Sequence, residues 1–119
     1  MMLEQQLLEF WDGPEREATL NDGTFTMHVK KSNRMFSALG EISFECLDLL
    51  DLCAIHCGKG RFKEILVWLK NQRMWDALYV DSVMTPRFRA FFIRDGWEIE
   101  NVNHPCPSFF RLLSLHPIS

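Results

Sequence analysis

The stretch Cys57-Gly58-Lys59-Gly60-Arg61-Phe62 sets two glycines and two cations within six residues. It follows an apolar run, Leu47-Asp48-Leu49-Leu50-Asp51-Leu52, and opens an amphipathic segment from Phe62 to Gln72. A glycine turn between a buried strand and a helix N-terminus suits an anionic group. The first helical N–H groups have no partner within the helix, and glycine lets a ligand come close to the backbone. The pattern predicts an anion site of phosphate or pyrophosphate type; the plainer alternative is a tight strand-to-helix turn. Lys59 or Arg61 contacts phosphate in the first case and stays solvated in the second.

A second group able to do chemistry is the set of carboxylates on or beside the same apolar run: Glu45, Asp48 and Asp51. Strand alternation puts Asp48 on one face and Glu45 with Asp51 on the other. A carboxylate held among leucines has its pKa raised by desolvation, which suits a general base, whereas an exposed one only solvates the strand. His28 and His56 are further base candidates. Cys53, His56 and Cys57 are close in sequence, and His104-Pro105-Cys106-Pro107 is a second small cluster. Their spacing is not that of a zinc finger, so no metal is expected.

These residues need a frame. Leu3, Leu7, Phe10 and Trp11 predict a helix over 2–11 that stops at Asp12-Gly13-Pro14. Asn21-Asp22-Gly23 is a turn between a short segment, 18–20, and a strand, 24–30, with Phe25, Met27 and Val29 on one face. Ser32-Asn33 reads as a second turn, followed by a strand over 35–39 that Gly40 ends. Residues 42–52 read as the central strand, apolar on both faces. A helix over 61–72 buries Phe62, Ile65, Leu66 and Leu69, and Ala77-Leu78-Tyr79-Val80 reads as a second buried strand. Thr85-Pro86 starts a helix that turns Phe88, Phe91 and Phe92 to one face and Arg87 and Arg94 away from it, with Gly96 as its left-handed end. Residues 97–100 and 108–113 close as an antiparallel pair. The order predicts one α/β (α+β) domain over 1–119: a mixed, mostly antiparallel central sheet flanked by helices.

The 119 residues suffice for a core without staples, and the 47% hydrophobic content fits a globule. A net charge of −3 leaves no electrostatic footprint for nucleic acid, so no nucleic-acid partner is expected. No apolar run is long enough for a membrane span, and no signal peptide is recognisable, so the chain reads as cytoplasmic with reduced cysteines. The Phe-rich C-terminal strands offer a surface for a homodimer.

The order of elements, with a glycine turn after the long strand, resembles the GNAT superfamily of N-acetyltransferases over roughly residues 44–113. In that family the acetyl-CoA pyrophosphate loop reads Arg/Gln-x-x-Gly-x-Gly/Ala. Gly60 matches its key glycine and Gly58-Lys59 the residues before it, while Cys57 and Phe62 depart from the pattern. A later family signature, a helix with Asn and Tyr closed by Gly-Phe, is matched by Gly96-Trp97, with Thr85 at the Asn position and Phe92 at the Tyr position. The N-terminal half is short for the family, and the compact form is similar to GNAT-like proteins encoded by bacteriophages.

The resemblance implies an acetyl-CoA-dependent N-acetyltransferase acting on an amine, a small molecule or a peptide. The cofactor would lie along Leu52, Cys53 and Ala54, with its pyrophosphate on the loop Cys57, Gly58, Lys59, Gly60, Arg61 and Phe62, beside Thr85 and Phe92. Glu45 or Asp51 would serve as general base. Phe92 cannot donate the proton that the family's Tyr gives, so the alternative is a GNAT-fold module that binds without catalysing.

Overall fold

Leu3, Leu7 and Phe10 fall on one stripe and are buried, so residues Leu3–Asp12 hold together as a helix, α1. The computed structural model describes residues 1–36, 39–54, 60–81, 83, 86–100 and 105–113. After α1 come β1 (Glu17–Asn21), β2 (Phe25–Met35), β3 (Ser43–Ala54), α2 (Arg61–Lys70), β4 (Ala77–Val80), α3 (Pro86–Arg94), β5 (Glu98–Ile99) and β6 (Phe109–Leu112). The strands form one sheet in the order β1-β2-β3-β4-β6-β5. Every neighbouring pair is antiparallel except β3 and β4, which run parallel and are joined through α2. The expected mixed, mostly antiparallel sheet with helices is therefore the architecture found. Among the described residues no helix is long and apolar enough to cross a membrane.

Alternation along the strands divides the core in two. Phe25, Met27 and Val29 of β2, Leu47 and Leu49 of β3, and Leu78 and Val80 of β4 share one face; they join the buried side chains of α1, α2 and α3 in a single cluster. The opposite face holds Phe44, Cys46, Ala77, Tyr79 and Phe110, closed over by Phe36. Phe36 stacks on Phe110 with ring centres 4.0 Å apart. Burial pushes the Cys46 thiol up to about 12, so this cysteine stays protonated and acts as packing.

Two ion-pair systems tie these layers together. On the opposite face Asp48 is fully buried. Arg34 donates from Nε to Oδ1 (3.1 Å) and from Nη2 to Oδ2 (2.7 Å), and the Ser32 hydroxyl donates to Oδ1 (2.7 Å). The same guanidinium lies over the Tyr79 ring at 3.7 Å. On the helical side Arg61 heads α2. Its guanidinium donates to Glu4 of α1 (2.8 and 3.3 Å), to Asp22 in the β1–β2 turn (2.7 Å), to Glu64 (3.2 Å) and to the Thr24 hydroxyl (3.0 Å). Asp22 also accepts from the backbone N–H groups of Leu3, Thr24 and Phe25. It thereby caps α1 and closes the hairpin at once. Burial pushes the Asp22 carboxyl up, but the hydrogen bonds from Thr24 and Arg61 outweigh this and hold it well below the usual carboxylate range.

Two expectations are corrected here. Residues 32–35 do not turn and restart: β2 continues to Met35, paired with β3 as Ser32↔Cys46, Asn33↔Glu45 and Arg34↔Phe44. Pairing with a long neighbouring strand, and the use of Ser32 and Arg34 by Asp48, outweigh the local turn preference of Ser-Asn. The chain after Met35 instead sends Phe36 into the core, where it is 1% exposed. Nor do the C-terminal phenylalanines offer a dimer surface, since Phe109 and Phe110 are buried within the sheet.

Replacing Arg61 by Ala leaves Asp22, whose side chain is 2% exposed, as a buried charge without a counter-ion, held by N–H and hydroxyl donors alone. Urea denaturation is expected to show a loss of about 3 kcal/mol. A depressed carboxyl pKa contributes stability above its unfolded value of about 3.9, lost as pH falls below it. The urea midpoint of the wild type is therefore expected to drop between about pH 5 and pH 3, and Asp22→Asn, less stable at pH 7, is expected to show a flatter profile over that range.

Candidate functional site

The register between β2 and β3 breaks once. His28 faces Asp51 and Val29 faces Leu49, so Leu50 is an extra residue on β3. A bulge of this kind moves every later side chain to the other face. Leu52 thus returns to the helix-covered cluster, and Asp51 lies on the same face as Asp48, not on that of Glu45. The run Leu47–Leu52 hides this from sequence reading, because leucines stand in both registers.

The bulge coincides with the parting of β3 from β4. Their last paired residues are Leu49 and Val80, with the Asp81 N–H to the Leu49 carbonyl as a long final contact of 3.5 Å. β3 runs on to Ala54, and a cleft of about 310 Å³ opens between the strands. Leu49, Leu52, Val80, Val83, Phe62, Phe88 and Phe92 give it an apolar side, and Asp51 and Asp81 a polar one. Phe62 sits at the centre of the aromatic wall, with ring centres 5.2 Å from Phe88, 5.4 Å from Phe91 and 6.4 Å from Phe92. Among the described lining residues the titratable groups are Asp51 and Asp81, both carboxylates. The Ser108 and Tyr79 hydroxyls donate to Asp81 at 3.2 and 3.4 Å.

The predicted site residues scatter around this cleft. Leu52, Phe62, Phe92 and Asp51 line it. Cys53 follows on the exposed end of β3, and Ala54 ends that strand. Cys57, Gly58, Lys59 and Thr85 lie outside the described residues. Glu45 is exposed, its backbone paired with Asp76 at 2.8 and 3.0 Å, and it borders a different hollow with Arg16 and Lys31. It does not meet Asp51, so the two candidate bases form no common site. Asp48 is sealed by Arg34 and Ser32. The Arg61 guanidinium, a candidate phosphate contact, is engaged by Glu4 and Asp22. Phe92 is a core residue, 1% exposed, packed on Trp97 and Phe109.

Gly60 has a specific reason to be glycine. It is the N-cap of α2 in the left-handed region (φ 72°, ψ 8°), and nothing stands within 4 Å of where a Cβ would be. Its conformation demands glycine; crowding does not. Cys46, Cys53 and Cys106 form no disulfide.

A further feature is the outer surface of α3. Its nine residues carry Arg87, Arg89 and Arg94 and no acid. The sequence pattern puts Arg87 and Arg94 away from the core face, while the net charge of −3 masks them. Counting charge by element, rather than over the chain, is the signal that finds this helix.

No protein-family model and no curated protein matches the chain. It is similar in fold to a chain of the solved crystal structure of the KacTA–DNA complex. The likeness has a TM-score of 0.58 at 14% identity, over 92% of this chain and 80% of that one. At that identity the likeness carries the fold and no residue roles. It nevertheless overturns the expected amine N-acetyltransferase without a nucleic-acid partner, because the structure of like fold is a protein–DNA complex. Glu45 is remote from the cleft, Asp48 is locked in an ion pair, and Phe92 offers no proton.

Gly60→Ala forces a Cβ into the left-handed region at the head of α2. Thermal unfolding is expected to show a loss of about 1 kcal/mol, with the fold retained.

Proposed function

We propose that this chain is a binding module of a protein–DNA assembly, working in the cytoplasm rather than as an acetyltransferase. The observation that carries the reading is α3: three arginines and no acid in nine residues, on a chain whose net charge is negative. Residues 61–119 hold eight Lys and Arg against six Asp and Glu, whereas residues 1–60 hold five against ten. Positive charge is thus concentrated in the part of the chain that builds α2, α3 and the last three strands. Nucleic acid responds to such a local field rather than to the sum over the molecule. The fold likeness to a chain of the KacTA–DNA complex supports the reading.

Duplex DNA is expected to bind with a Kd in the range of about 1–100 µM near physiological salt, more tightly at about 50 mM, with affinity falling steeply as salt rises. Fluorescence anisotropy of a labelled duplex measures this. No binding at low salt, or binding indifferent to salt, overturns the reading.

The cleft is a separate site, for which acetyl-CoA is retained as a proposed ligand without acetyl transfer. Among the described residues, β3 has no strand beside it on the cleft side beyond Leu49. This stretch of β3, beside the aromatic side of the cleft, fits an extended amide-bearing arm such as pantetheine. Arg61 supplies no phosphate contact there, being held by Glu4 and Asp22. Calorimetry with acetyl-CoA is expected to give measurable heat for the wild type and at least tenfold weaker binding for Phe88→Asp. Equal binding by the two places the ligand elsewhere.

A further inference from the structure

We infer that α3 holds duplex DNA through the phosphate backbone of one strand, with Arg87 and Arg94 each taking a phosphate and Ala90 leaving room between them. The inference rests on the DNA reading above and adds its contact residues and mode.

A helix turns 100° per residue, so Arg87, Ala90 and Arg94 fall within an arc of about 60°, roughly opposite Phe92. Phe92 is buried, and Arg87, Ala90 and Arg94 are all exposed. Among the described residues neither Arg87 nor Arg94 makes an ion pair. The remaining arginine of the helix points elsewhere: the Arg89 guanidinium donates to the Pro105 carbonyl at 3.4 Å.

The two outward arginines are seven residues apart, or about 10 Å along the helix. Along the duplex axis, where one strand advances 3.4 Å per phosphate, that is a rise of about three phosphates. Alanine at the middle of the stripe presents a single methyl, so the backbone of a strand can approach between the two guanidinium groups.

The helix is held firmly enough to present such a pair. Phe92 fixes its inner face against Phe109 and Trp97. At its C-terminal end Asp95 accepts from Lys70 of α2 (2.7 Å) and from the Trp97 indole (2.9 Å), and Gly96 ends the helix at φ 86°. A guanidinium on a fixed helix gives up less freedom on binding than one on a loop.

Phosphate contacts carry no sequence information. The mode is therefore tested by anisotropy on two labelled duplexes of about 20 base pairs and unrelated sequence, between about 50 and 200 mM salt. The slope of log K against log salt is expected to be shallower by about 2 in Arg87→Gln/Arg94→Gln than in the wild type, since each lost phosphate contact removes about 0.9. Affinity at low salt is expected to fall at least tenfold. Arg87→Lys/Arg94→Lys, which keeps the charge, should retain the wild-type slope, as should Lys30→Gln/Lys63→Gln. Both arginines are exposed, so circular dichroism melting should be unchanged in all variants. Wild-type behaviour of the Gln variant overturns the inference and leaves the DNA reading standing. A more than tenfold preference between the two duplexes overturns the backbone mode. Absence of wild-type binding at low salt removes both.

Discussion

The Arg61–Asp22 pair is the contact on which the placement of the other elements depends. One guanidinium joins the first turn of α1, the β1–β2 turn and the head of α2, three pieces far apart in sequence. A charge pair this far from water gains little over an apolar contact of the same size, but it is costly to break from one side only. It therefore contributes orientation more than net stability. Asp22 cannot serve as cap and hairpin hinge unless its charge is answered, and Arg61 answers it only if α2 begins where it does. Gly60 in the left-handed region and Phe62 facing the cleft both follow from that starting point.

β3 imposes the second constraint. It pairs with β2 over its whole length but with β4 only as far as Leu49, and the extra residue at Leu50 marks the change. Without the bulge Leu52 would face away from the helices and Asp51 toward them. With it, the apolar side chain lines the cleft floor and the carboxylate stays in water. The cleft is thus a consequence of strand pairing that ends early on one side, walled by the aromatic cluster that Phe62 centres.

Much of this fold is legible in the sequence. The spacing of Leu3, Leu7 and Phe10, the stripe of Ile65, Leu66 and Leu69, Pro86 at the start of α3 and the Gly96 stop are each local signals, and each element stands where those signals put it. Two features depend on partners remote in sequence and were not legible. The straight run of β2 through Ser32-Asn33 is set by Asp48, sixteen residues from Ser32. The bulge at Leu50 is set by pairing alone. The candidate site suffered most, because a charged residue reads the same whether it is engaged or available. In the sequence Arg61 reads as a phosphate ligand and Asp48 as a base; in the fold Glu4 and Asp22 hold the one and Arg34 the other. Arg87 and Arg94 read as lying away from the apolar face of their helix, and a charge averaged over the chain hides them.

That average is a poor guide on the scale of this molecule. The protein measures 40 × 34 × 21 Å, whereas exposed charges more than about 8–10 Å apart are largely screened at physiological ionic strength. α3 packs through Phe92 on Phe109 of β6, and β1, with the acidic Glu17, lies four strands away in the sheet. At about 4.8 Å per strand that is roughly 19 Å, about two screening lengths. Glu17 of β1 therefore counts in the net charge without setting the potential at α3. An approaching polyanion meets the two nearest guanidinium groups first, so a net negative chain and a phosphate-binding helix are physically compatible.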